Sequence, residues 1–127
     1  MGTMIKVGMA DLKICKSPDS VTTLGLGSCI GIAIVDPQTK IGGLAHIMLP
    51  DSTAIKNNTN IAKFADTGIE ELVRLILEKG AGKSRLKAKI AGGAQMFSFQ
   101  NKTELLGVGQ RNVEASKKTL KRYKDDT

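Results

Sequence analysis

The sequence predicts a mixed α/β (α+β-like) domain on a mainly antiparallel sheet, and three observations carry that reading. A continuous apolar run, Ile30–Val35, is followed by a turn and a second run, Ile41–Leu49, so two buried strands meet in a hairpin. An apolar stripe at three- and four-residue intervals then marks a helix from Ile61 to Leu77. A strand and a further helix follow, an order that departs from a regular βαβ series. The 127 residues fit a single domain, 1–127, able to bury roughly two thirds of the surface its unfolded chain exposes. A 41% hydrophobic share describes a globular chain, and with three Phe, one Tyr and no Trp its core has to be aliphatic.

Met4–Ile14 alternates loosely and reads as one or two short strands. Cys15 follows at the edge of Lys16-Ser17-Pro18-Asp19-Ser20, a turn cluster, and reads as a small half-buried filler. Val21–Leu26 leads into Gly25-Leu-Gly27, which lacks the third glycine of a dinucleotide fingerprint because position 30 is Ile. Those glycines instead give the chain conformational freedom just before Cys29. Asp36-Pro37-Gln38-Thr39 reads as a type I turn, with Asp first and Pro pre-set for the second position. Pro50 closes the returning strand, and Asp51–Asn60 reads as a polar loop beside it. The helix begins with Ile61, Phe64 and Ala65, continues through Ile69, Leu72, Val73, Ile76 and Leu77, and stops at Gly80 and Gly82. Leu86–Ile90 alternates as a strand, and Ala91-Gly92-Gly93-Ala94 permits a close backbone approach. Ser98–Glu104 reads as a polar loop. Asn112 reads as the cap of a second helix, Val113–Tyr123, with Val113, Ser116 or the Lys117 stem, and Leu120 as its apolar points. Lys124–Thr127 reads as a frayed or cut end.

The chemistry gathers at the hairpin. Cys29 ends the glycine-rich entry, and His46, the only histidine, lies seventeen positions later on the returning strand. If Val35 pairs with Lys40, Cys29 stands directly opposite His46, where paired Cβ atoms lie about 4.5–5.5 Å apart. An imidazole at that distance takes the proton of a thiol. Gly31, Ala33 and Gly42 share the face and leave space beside the pair. Taken singly, a buried cysteine and a core histidine are ordinary packing residues; their pairing across one hairpin favours a nucleophilic site. Two cysteines and one histidine without a CxxC or HxxxH pair do not suit a metal, and no cofactor is expected. The backbone N–H groups of Cys29 and around Gly27-Ser28 are candidates for oxyanion support. No carboxylate lies in the motif to orient the imidazole; on the residues alone, the hydroxyls of Ser28 and Ser20 compete for that place.

Thr23-Leu-Gly-Leu-Gly-Ser-Cys29, with Gly42-Gly43-Leu-Ala-His46-Ile-Met-Leu-Pro50, resembles the CheD family of chemoreceptor glutamine deamidases. Ala88-Lys-Ile-Ala-Gly-Gly-Ala94 with Met96-Phe97, and Gly109-Gln-Arg-Asn-Val113, are similar to it as well. The resemblance implies hydrolysis of glutamine side chains on methyl-accepting chemotaxis receptors, with Cys29 as nucleophile, His46 as base and Thr23 in support. It also implies a layered sandwich with helices packed outside the sheet, and association with a CheC-type phosphatase. A non-catalytic regulatory module for that phosphatase is the alternative function. The sequence departs from the family in stopping at Thr127, where members continue with further strands.

A formal net charge of +7 favours acidic partners. An acidic protein surface fits better than nucleic acid, because aromatic platforms for stacking bases are nearly absent. A nucleic-acid binder ranks last among the three functions. No apolar stretch reaches about 18 residues, and the N-terminus has no secretory pattern, so membrane insertion and export are not expected. The expected location is the cytoplasm, where both cysteines stay reduced.

Overall fold

A computed structural model describes residues 2–27, 29–49, 60–93 and 102–124. The strands are β1 (Met4–Lys6), β2 (Asp11–Lys16), β3 (Ser20–Thr22), β4 (Ile30–Asp36), β5 (Ile41–Ile47) and β6 (Lys87–Gly92). The helices are α1 (Ala65–Glu78) and α2 (Lys102–Lys124). Four strands form an antiparallel sheet in the order β2-β5-β4-β6, while β1 and β3 make a separate parallel pair. The mixed α/β class and the mainly antiparallel sheet are therefore as the sequence predicts.

Strand alternation divides the sheet into two faces. Ile30, Ile32 and Ile34 on β4, with Ile41, Ala45 and Ile47 on β5, face the helices and pack with Ile69, Leu72, Val73 and Ile76 of α1. Each Ile, Leu or Val among them contributes roughly 1.5–3 kcal/mol on full burial. Gly43 lets α1 approach the strand closely, since a Cβ there would lie 2.6 Å from Leu72 Cδ1. On the same side, α2 brings Leu120 and Tyr123 near Ile34, Val73 and Ala88. The opposite face carries Gly31, Ala33 and Val35 of β4 and Gly42, Leu44 and His46 of β5. Helices thus lie on one face, and Thr23 and Leu26, in the chain that follows β3, lie over part of the other. Among the described residues no helix is long and apolar enough to cross a membrane.

The hairpin register differs from the expected one. Asp36, not Val35, is the last paired residue of β4; it faces Ile41, and Gly31 faces His46. The cause is the buried Asp36 carboxylate. It accepts from the Gln38 amide at 3.0 Å and the Gly82 amide at 2.8 Å, and pairs with Arg85 Nη2 at 2.9 Å. These bonds keep Asp36 in the ladder. Lys40 then closes the loop in a left-handed conformation, φ 60°, its amide donating to the Asp36 carbonyl at 2.8 Å. The Arg85 guanidinium above all, with the Gly82 and Gln38 amide donors adding to it, holds this carboxyl well below the usual range although burial opposes that.

Other boundaries shift for local reasons. β2 runs through Cys15 to Lys16 because the strand pairs with β5 along that whole length. The stripe from Ile61 begins as a 3-10 turn, Ile61–Lys63, and Phe64 breaks to extended backbone before α1 starts. Gly80, at φ 120°, ends α1: its amide reaches the Leu77 carbonyl and the Ala81 amide reaches Ile76, a Schellman closure. The second helix starts at Lys102, so Asn112 lies inside it instead of capping it, and positions 102–104 are helical instead of loop. Asn112 is buried and donates to the Met48 carbonyl at 2.9 Å, a tertiary bond that replaces the capping role. The rest of the expected Ser98–Glu104 loop, nearly all of the Asp51–Asn60 loop, Ala94 and the end of the chain lie outside the described residues.

Candidate active site

Thr23 leaves β3 and comes over the outer sheet face, where its Oγ1 lies 2.8 Å from Nδ1 of His46. The same hydroxyl donates to the Val7 carbonyl at 2.7 Å. A hydroxyl has one proton, and here it is committed to Val7. Thr23 must then accept from Nδ1–H, which selects that tautomer and leaves the lone pair on Nε2. His46 is 1% exposed, and its Nε2 has no hydrogen-bond partner among the described residues. Burial holds its pKa below the ordinary histidine value, so the ring is neutral and Nε2 is a bare acceptor. Of the competing hydroxyls, Thr23 holds the ring; Ser20 lies in β3 and Ser28 is outside the described residues.

Cys29 is also buried, at 9% exposure, and burial pushes its thiol pKa up. A tight turn sets its position. Gly25 and Gly27 take left-handed φ values of 66° and 51°, and the Cys29 amide closes the turn on the Leu26 carbonyl at 2.7 Å. That amide is therefore engaged within the turn, which corrects its expected availability for an oxyanion. From the other side the Gly93 amide donates to the Cys29 carbonyl at 2.8 Å. Gly92, at φ 95°, passes so close that a Cβ would sit 2.3 Å from the same oxygen. The glycine pair at the end of β6 is thus the close approach expected there.

The observed register places Cys29 on the same face as His46 but one pair along. The two are diagonal neighbours, a relation that spans about 7–8 Å, instead of direct partners. Gly31 occupies the direct position. A Cβ on Gly31 would meet both Leu26 methyl groups at 3.3 and 3.4 Å and the Thr23 methyl at 3.7 Å. Its missing side chain makes room for the two residues that cover this end of the sheet. Cys15 lies on the same face of β2, opposite Gly42 and away from His46, with Sγ 3.7 Å from the Asp19 carbonyl. Both thiols are free. Among the described residues no group of three or more His, Cys, Asp or Glu side chains comes together to hold a metal.

A cavity of about 270 Å³ opens beside the histidine, lined among others by Lys6, Met9, Thr23, Leu24 and His46. The arrangement combines an oriented neutral base, a protonated thiol on the same face and an entry from solvent. Such a set suits acyl transfer through a thioester. Sequence reading missed the Val7 carbonyl, because any residue type supplies a carbonyl and position alone decides its role. It also read Asp36 as a turn residue alone, although an acid ending a buried apolar run is itself a sign of a buried ion pair.

Comparison with known proteins gives one consistent result. The family described as CheD chemotactic sensory transduction matches residues 48–125. A probable chemoreceptor glutamine deamidase CheD of Lachnoclostridium phytofermentans is 67% identical over 120 residues, covering 94% of this chain and 74% of that protein. The similarly named protein of Caldanaerobacter subterraneus is 53% identical over 119 residues, covering 94% and 74%. The chemoreceptor glutamine deamidase CheD of Bacillus licheniformis is 50% identical over 119 residues, covering 93% and 71%.

Proposed function

The chain belongs to the CheD family, and from that premise we propose that it hydrolyses glutamine side-chain amides on methyl-accepting chemotaxis receptors to glutamate. The observation that carries the reading is His46: its Nδ1–H is taken by Thr23, while its buried Nε2 is left without a partner among the described residues. A base held in one tautomer beside a cavity is what amide hydrolysis by a thiol requires.

In the proposed mechanism Cys29 is the nucleophile, His46 the base and Thr23 the group that positions it. Substrate entry brings thiol and imidazole together; catalytic hydrogen bonds are often long before a substrate arrives. Cys29 Sγ forms a bond to the glutamine Cδ as its proton passes to His46 Nε2. The carbonyl becomes an oxyanion, for which we assign the amides of Gly27 and Ser28, since the Cys29 amide is engaged with Leu26. The imidazolium returns its proton to the leaving nitrogen, the C–N bond breaks, and ammonia departs from a thioester. Water then gives a proton to Nε2 and attacks the thioester carbon. The C–S bond breaks, the thiol recovers the proton, and glutamate is released. No metal or cofactor enters this scheme. The cytoplasm is the proposed location and a CheC-type phosphatase the proposed second partner.

Mass spectrometry of a receptor cytoplasmic fragment tests the activity. The chain should convert specific glutamines to glutamates with release of ammonia, and Cys29→Ala should abolish the conversion while Cys15→Ala leaves it unchanged. Dependence on Cys15 instead of Cys29 would overturn the site assignment. Capture of the phosphatase should survive Cys29→Ala.

A further inference from the structure

The cavity beside His46 has an unusual rim. Leu24 is 78% exposed and Met9 is 62% exposed, and both line this one cavity. Single exposed apolar residues are ordinary, but two large ones converging on a reactive group mark a contact surface. Lys6, at the end of β1 and exposed, adds a positive charge to the lining. The nearest acid by register is Asp11, opposite His46 on β2, and one of its carboxylate oxygens accepts from the Leu12 amide at 2.8 Å. At about 270 Å³ the cavity falls below the roughly 300–1,000 Å³ that encloses a drug-sized molecule. It suits one or two side chains of a larger partner.

We propose that Leu24, Met9 and Lys6 form the rim that reads the protein segment around the target glutamine. The occupant is an acidic, amphipathic segment of the substrate protein: its apolar side chain seats between Leu24 and Met9, and its carboxylate pairs with Lys6. Methionine suits this task because its unbranched side chain adapts to different neighbours. The charge argument agrees with the +7 of the whole chain. This inference rests on the deamidase reading of the same site and adds to it the residues that select the substrate.

The test measures deamidation kinetics and Cys29 alkylation by iodoacetamide together. The substrate is the purified cytoplasmic fragment of a methyl-accepting chemotaxis receptor. Leu24→Asp and Met9→Asp should each raise KM about tenfold or more, the effect of losing one buried apolar contact and adding a like charge against an acidic partner. Their kcat should stay within about twofold of the wild type, and alkylation, which uses a small reagent, should keep its rate. Lys6→Glu should raise KM at low salt, with the difference shrinking at high salt. Lys117→Glu, an exposed charge reversal on α2, should leave all three readouts unchanged. An unchanged KM in Leu24→Asp and Met9→Asp, with wild-type activity present, overturns the rim while leaving the deamidase reading intact. A fall in kcat or in alkylation also overturns it, because the residues would then be shaping the site instead of reading substrate. If the wild-type chain releases no ammonia, the deamidase reading fails. The rim is then decided by sedimentation binding of the same fragment, which Leu24→Asp and Met9→Asp must weaken about tenfold for it to stand.

Discussion

The Thr23 hydroxyl stands 2.8 Å from His46 Nδ1 and gives its proton to the Val7 carbonyl at 2.7 Å, so a backbone oxygen just past β1 sets the tautomer of a ring on β5. Thr23→Val keeps the shape but removes the acceptor. It should lower kcat roughly 10–10²-fold, a part of the 10²–10⁴ that general-base catalysis supplies. Thr23→Ser should recover most of the rate. Nitrogen NMR of the imidazole should show the Nδ1–H tautomer in the wild type and in Thr23→Ser, and a mixture in Thr23→Val. An unchanged rate in Thr23→Val would show that the ring needs no orienting group.

Burial moves the thiol and the imidazole of the proposed pair in opposite directions, Cys29 up and His46 down. The resting pair is thiol and neutral imidazole. Alkylation of Cys29 in the absence of substrate should therefore be slow at pH 7 and rise only into the alkaline range. For His46 the folded pKa lies below the unfolded value of about 6.5, so the unfolded chain binds more protons in that window. Stability should fall as pH drops through that value toward the folded pKa, and His46→Gln should remove this dependence. Thermal melts between neutral and mildly acid pH measure it. A fast alkylation at pH 7 would instead mean an ion pair at rest.

Gly92 and Cys29 are tied by backbone contact, not by side chains. Gly92→Ala places a Cβ against the Cys29 carbonyl in a left-handed conformation. Relief requires the turn at Leu26–Cys29 to shift, and such overpacking costs about 1–3 kcal/mol. A lower melting temperature together with a lower kcat is expected. Loss of stability with full activity would separate this contact from the thiol's placement.

Arg85 supports the hairpin from outside the site. Arg85→Ala leaves the buried Asp36 carboxylate with amide donors but without its cation. The melting temperature should fall by several degrees at neutral pH. In the wild type, the folded Asp36 pKa is depressed, so its stabilising contribution is present above the unfolded value of about 3.9 and lost as pH falls below it. The gap between variant and wild type should therefore narrow in acid. A gap that does not change with pH would mean that the guanidinium acts by packing alone.

The local pattern of residues already determined much of this protein. The apolar run Ile30–Val35, its partner after Lys40 and the stripe from Ile69 to Leu77 specify strand, strand and helix, because burial of one face imposes a two- or 3.6-residue period. The motif that ends at Cys29, with His46 on the returning strand, likewise pointed to a thiol site and to the CheD family without any coordinates. What only the tertiary structure decided are the relations between distant groups. Asp36 stays in the ladder because Arg85 and Gly82, more than forty positions away, bind its carboxylate. That moves the register so that Gly31, not Cys29, faces His46. Asn112 leaves its expected capping role for the Met48 carbonyl, and the second helix extends past it. The Val7 carbonyl selects the histidine tautomer through Thr23, and Leu24 and Met9, fifteen positions apart, meet exposed at one cavity beside His46. Each depends on where a backbone group or a charge sits in space, and periodicity along the chain carries no record of that.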